Sequence, residues 1–76
     1  MTVTEELIQL AAKTFGVDAS TLNPSNDFFQ ALAIESIQAL ELLSELEMHF
    51  DVEIPDYELQ GVVTFEALAA LIEKRV

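Results

Sequence analysis

The sequence predicts an all-α protein, and three observations carry that reading. Apolar residues recur at three- and four-residue spacing in three separate stretches, no run alternates as a strand would, and Gly, Pro, Asn and Asp collect between the stretches. With 76 residues, 51% of them hydrophobic, the chain can build one modest core and has no room for a second. The expected architecture is a single domain over residues 1–76: a small four-helix bundle with a long loop between helices one and two and a short third helix.

Thr2 or Thr4 caps the first helix, and Glu5 and Glu6 stand in its first turn, where carboxylates favour the positive end of the helix dipole. Val3, Leu7, Leu10 and Ala11 fall on one side, extended by Ile8 and Phe15, and Gly16 ends the pattern. From Val17 to about Leu32 the Asp, Ser, Asn and Pro content predicts a long ordered loop, pinned to the core by Leu22, Phe28, Phe29 and Leu32. The second helix runs from about Ser36 to Phe50. At about 100° per residue, Ala39, Leu40, Leu42, Leu43, Leu46 and Phe50 gather on one broad core face. In DVEIPDYELQG, Pro55 suits a strand end or a first helical turn, and Asp56 to Gln60 makes the short third helix, ended by Gly61. Thr64 caps the last helix, whose Phe65, Leu68, Leu71 or Ile72, and Val76 recur at helical spacing.

Fourteen Asp and Glu against Lys13, Lys74 and Arg75 give a formal net charge of −11. Nucleic acid and anionic membrane surfaces both select basic patches, so neither is expected as a partner; proteins with basic patches are. Each of the three cations lies in the last turn of a predicted helix, near its negative end. The longest apolar run, Ala67 to Ile72, is far too short to span a bilayer, and MTVTEELIQL lacks the pattern of a targeting segment. A cytoplasmic monomer without membrane insertion is expected. Cysteine is absent, so thiol chemistry requires a group that the chain does not supply.

Once the core positions of the second helix are set aside, Ile37, Glu41, Ser44, Glu45 and Met48 remain on its opposite side, at spacings of three, four and seven. Single exposed apolar residues are ordinary, yet an apolar stripe edged by carboxylates is also what a basic, partly apolar groove would recognise. Ser36 carries a similar ambiguity, because serine at a helix start commonly caps a free backbone N–H. His49, the only histidine, has no Ser or Cys at an interpretable spacing, so no catalytic residues are assigned and no enzyme is expected. Asp51 to Val62 superficially suggests a calcium loop, but Pro55, Asp56 and Val62 stand where that loop needs a ligand, a glycine and a bidentate glutamate. No metal site is assigned.

The stretch DFFQALAIESIQALELLSELEMHFDVEIPD, Asp27 to Asp56, resembles the acyl carrier protein family, whose signature is an Asp-Phe-Phe loop, Gly-x-Asp-Ser-Leu, a Glu-rich helix and an Asp-x-Glu-Ile-Pro turn. Asp27, Phe28, Phe29, Leu32, Ser36, Glu41, Leu42, Leu46, Glu47, Phe50, Asp51, Glu53, Ile54, Pro55 and Asp56 fall in register with it. The resemblance implies that Ser36, flanked by Glu35 and Ile37, carries a covalent 4′-phosphopantetheine arm whose thiol holds acyl groups. It implies a phosphopantetheinyl transferase and acyl-transferring and chain-elongating enzymes of fatty acid, polyketide or related synthesis as partners. It further implies that the acyl chain folds back between the helices, with Leu46, Ile54, Leu59, Val62 and Ile72 as candidate lining residues; the same residues also suit a plain core.

The family's Gly-x-Asp-Ser-Leu is here Ala33-Ile34-Glu35-Ser36-Ile37. An acid before the serine fits an acyl carrier better than a peptidyl carrier, where histidine is usual. Ala33 and Glu35 flank the serine that modifying enzymes approach, so they are expected to tune which enzymes accept the carrier. Two other classes stay open on sequence alone: an acidic module responsive to divalent cations, and a degenerate carrier that is never modified and acts only as a partner protein.

Overall fold

The computed structural model describes residues 2–76. A capping box begins helix α1 (Val3–Phe15): the Thr2 hydroxyl accepts the Glu5 N–H at 3.1 Å while the Thr2 N–H donates to the Glu5 carboxylate at 3.1 Å. The bond from the Thr2 backbone, and secondarily the Thr2 hydroxyl, holds the Glu5 carboxyl below its ordinary value. Gly16 ends α1 in the left-handed region at φ 68°, and the Val17 N–H reaches back to the Ala12 carbonyl at 2.9 Å.

The segment read as loop contains more structure than its composition suggests. Asp18 caps a single 3₁₀ turn, Ala19–Thr21, and Asp27 caps a five-residue helix, α2 (Phe28–Leu32), by accepting from the N–H groups of Phe29 at 2.8 Å and Gln30 at 3.2 Å. The expected long ordered loop thus contains one 3₁₀ turn and, at its end, a short helix. So short a helix is not stable by propensity; Phe28 and Leu32, both buried, hold it against the core. The Phe28 ring lies 4.7 Å from that of Phe29 and 6.1 Å from that of Phe65, which accounts for both aromatic residues after Asp27.

Helix α3 (Ser36–Phe50) is the predicted second helix, and α4 (Phe65–Glu73) the predicted last one. Between them the expected short helix is one 3₁₀ turn, Asp56–Leu59, with Gly61 beyond it at φ 78°. Four α-helices and two 3₁₀ turns, with no strand among the described residues, make a small helical bundle. The segment before and into α2 is fastened to the start of α4: Phe28 N–H donates to the Val63 carbonyl at 2.8 Å and Glu66 N–H to the Pro24 carbonyl at 2.9 Å. At the other end of α3, the Glu47 carboxylate accepts the Ile54 N–H at 2.9 Å and folds the outgoing chain against the helix.

Leu7, Leu42, Leu46, Phe65 and Ile72 are fully buried at the centre, each stabilising the fold by about 1.5–3 kcal/mol. Two core assignments need correction. Leu40 is 56% exposed, because it lies roughly 90° around α3 from the Ala39–Leu46–Phe50 line. Val76 is 66% exposed, because α4 stops at Glu73 and the helical spacing no longer governs it.

Ala33 ends α2 at φ 55°, ψ 47°, a left-handed conformation that glycine adopts freely and alanine does not. The family glycine at this position therefore has a backbone reason. Relieving about 1–2 kcal/mol of strain, less about 0.4–1 kcal/mol of added unfolded-chain entropy, Ala33→Gly should stabilise the protein by roughly 0.5–1 kcal/mol. For a domain of this size that raises the melting temperature by about 2–8 °C. An unchanged or lower melting temperature would show that the strain at Ala33 is no larger than the chain entropy that glycine adds.

Charge acts against the fold. One ion pair of a Lys or Arg occurs among the described residues, Arg75–Glu58, beside a His49–Glu6 contact at 3.9 Å, in a chain with fourteen acids. The body measures 27 × 27 × 20 Å. At about 0.01 M salt the screening length of about 30 Å spans that whole body, whereas at about 0.15 M it falls to about 8 Å. Thermal melts across that range should rise by several degrees. A flat profile would show that the carboxylates are too dispersed to repel appreciably.

Candidate functional site

Ser36 stands at the first position inside α3, and the cap position before it belongs to Glu35. The Glu35 N–H donates to the Gln38 side-chain oxygen at 3.0 Å, and the Glu35 carbonyl accepts the Ala39 N–H at 3.0 Å. The serine is thus not the capping residue, which corrects the simplest structural explanation for it. Its side chain is exposed and its hydroxyl makes no hydrogen bond among the described residues. The N–H groups of Ser36 and Ile37, at the first two helical positions, have no intrahelical acceptor and favour an anion close by.

Beside Ser36 a partly enclosed apolar cleft of about 170 Å³ opens between α2, α3 and α4. Phe28 and Phe29 come from α2, Ala39, Leu40, Leu42 and Leu43 from α3, and Leu68 from α4, while Leu59 and Val62 close one side. Leu40, displaced from the core, is part of this rim. Of the candidate lining residues, Leu59 and Val62 line the cleft. Leu46 and Ile72 lie in the central core, and Ile54, also buried, borders a different hollow. That hollow, which includes Ser44 and Met48, and another between Glu6, Lys13 and His49 are open surface grooves that do not reach Ser36.

Ile37 and Met48 are 73% and 70% exposed, and Glu41, Ser44 and Glu45 are exposed with them along the outer side of α3. Glu35 is exposed next to the serine. His49 is exposed too, with its ring edge-on to Phe50 and its Nε2 3.9 Å from the Glu6 carboxylate. Sequence reasoning missed Phe28, Phe29, Ala39, Leu40, Leu42, Leu43 and Leu68 as cleft residues. Only Leu40 left a signal: an apolar residue at the edge of the α3 core face, one turn after the serine.

A surface hydroxyl free of structural duty, next to a sheltered apolar space, is an arrangement compatible with a domain that holds a group and covers its apolar end. The family described as "Phosphopantetheine attachment site" matches residues 5–72. A protein from Solidesulfovibrio magneticus named acyl carrier protein is 32% identical over 75 residues, covering 99% of this chain and 96% of its own. The chain belongs to the acyl carrier protein family, and its cofactor is covalent 4′-phosphopantetheine. No helix among the described residues is long and apolar enough to cross a membrane, and no group of three or more His, Asp or Glu is placed to hold a metal ion.

Proposed function

We propose that Ser36 is the attachment residue and that residues 1–76 act as one non-catalytic, cytoplasmic, monomeric carrier domain. The observation that carries this reading is the position of Ser36: exposed, unbonded, just inside α3 and at the mouth of the apolar cleft. When attached, the arm supplies a thiol on which acyl groups are held as thioesters. Ser36 fixes the point of attachment, and the free N–H groups of the first turn favour the negative charge of the phosphodiester. Phe28, Leu40, Leu59 and Val62 shelter apolar cargo from water. An apolar cavity of ~150 Å³ holds benzene, so the cleft in this conformation suits roughly six carbons of a chain.

The outer side of α3 supports a docking role toward a phosphopantetheinyl transferase and acyl-transferring or chain-elongating enzymes of fatty acid, polyketide or related synthesis. Glu41 and Glu45 attract their basic patches at long range, and Ile37 and Met48 add apolar contact. Glu35 flanks Ser36 on the approach path. Incubation with coenzyme A and a broad-specificity transferase, followed by intact-mass analysis and peptide mapping, tests the assignment. An adduct on the peptide containing Ser36 supports it. An adduct elsewhere overturns it, as does failure of both the wild type and its Ala33→Gly/Glu35→Asp variant to be modified.

A further inference from the structure

Arg75 makes the only ion pair formed by a Lys or Arg among the described residues. One arm of its guanidinium donates to the Leu71 carbonyl in the last turn of α4 at 3.0 Å, and the other grips the Glu58 carboxylate. Both side chains are mostly buried, 22% and 18% exposed. Helix-end charge, the role expected of Arg75, describes half of this arrangement.

Glu58 lies in the segment that supplies Leu59 and Val62 to the cleft. That segment is tied to the body at its start, where Ile54 N–H meets Glu47, and at its end, where the Val63 carbonyl meets Phe28 N–H. Over residues 55–62 its backbone bonds are internal, Glu58 N–H to the Pro55 carbonyl and Val62 N–H to the Leu59 carbonyl. Among the described residues, the Glu58–Arg75 pair is the one polar tie between this stretch and the rest of the molecule. The cleft thus has three walls on α2, α3 and α4 and a fourth that, between its two anchored ends, is held by the apolar packing of Leu59 and Val62 and by one polar clasp.

We propose that Arg75 is a positioning residue that sets the length of apolar chain the cleft accepts, by clasping the wall formed by residues 55–62 to the end of α4. The proposal rests on the cleft reading above. A cargo longer than the resting cleft must push Leu59 and Val62 outward, and the clasp opposes that movement. Arginine suits the task because its planar fork serves the helix carbonyl and the carboxylate at once, which a lysine ammonium does with less geometric control.

Two measurements test it. In the unloaded protein, Arg75→Gln should speed hydrogen exchange at the Glu58 and Val62 amides by about fivefold or more, as expected for a partly buried tie. Lys74→Gln, an equal change of charge at a residue without an ion pair, should leave exchange unaltered, and Arg75→Lys, which keeps the charge but not the fork, should restore it only in part. In holo protein loaded with a straight chain of about six carbons or one about twice as long, the shorter chain should raise the wild-type melting temperature at least as much as the longer. In Arg75→Gln the longer chain should give the larger rise. Exchange in Arg75→Gln equal to that in Lys74→Gln overturns the clasp. Faster exchange with an unchanged chain-length preference overturns the length-setting role. If neither chain shifts either protein while the exchange difference persists, the cleft reading has failed and the length-setting role falls with it.

Discussion

Ser36→Ala should abolish the phosphopantetheine adduct completely and leave the fold unharmed. The first half follows from the loss of the only oxygen at the site that can form the phosphodiester. The second half follows from the local geometry: Glu35, not Ser36, occupies the cap position, and the Ser36 hydroxyl bonds to nothing among the described residues. Removing it costs no hydrogen bond, and alanine is the better helix former, so stability should change by less than about 0.5 kcal/mol. The other serines are poor substitutes. Ser20 and Ser25 donate to Asp18 at 2.8 Å and to Asn23 at 3.0 Å, and Ser44 lies in the middle of α3. Intact-mass analysis of both proteins after transferase treatment, with circular dichroism as the folding control, reads both halves at once. An adduct surviving in Ser36→Ala would move the attachment site.

The long helices were legible because their information is local. Thr2 with Glu5, Gly16, and Thr64 with its hydroxyl accepting the Ala67 N–H at 3.2 Å are caps written within a few residues of the turns they make. Helix α2 was not legible, since five residues carry too little periodicity and its stability comes from Phe28 meeting Phe65 across the fold. Glu47 illustrates the same limit. Its spacing on α3 marks it as one more acid, whereas its carboxylate folds the Val52–Pro55 turn by accepting the Ile54 N–H.

The site divides along the same line. The outer stripe of α3 could be placed from helical geometry alone, because a hundred-degree step fixes which residues share a side, whereas Ser36 stood out only through the family resemblance, its position alone reading as a cap. The cleft could not, because it is made by four segments meeting, and the spacing of Leu40 and Leu59 in the chain says nothing of their proximity. Arg75 was legible only as a cation near a helix end; its second partner lies 17 residues earlier, a pairing that no local pattern encodes.

Reversing Glu41 and Glu45 to lysine should slow association with a basic partner by about ten- to a hundredfold at low salt, with little change in dissociation. The two carboxylates sit one turn apart on α3, both exposed, between Ile37 and Met48. Each reversal adds two charges, so the net charge moves from −11 to −7 and remains acidic; any large effect must come from the local patch. The matched control is Glu66→Lys/Glu73→Lys on α4, which makes the same overall change at two exposed sites away from the stripe. Stopped-flow binding to a phosphopantetheinyl transferase across salt concentrations separates the cases. The wild type should show a steep fall of association rate with salt, the α3 variant a shallow one, and the α4 control a slope close to wild type. Ile37→Ala should act on the other rate, speeding dissociation by removing short-range contact while leaving encounter unchanged. Equal association rates for the α3 and α4 variants would mean that net charge alone steers the encounter, and the outer side of α3 would then be ordinary surface.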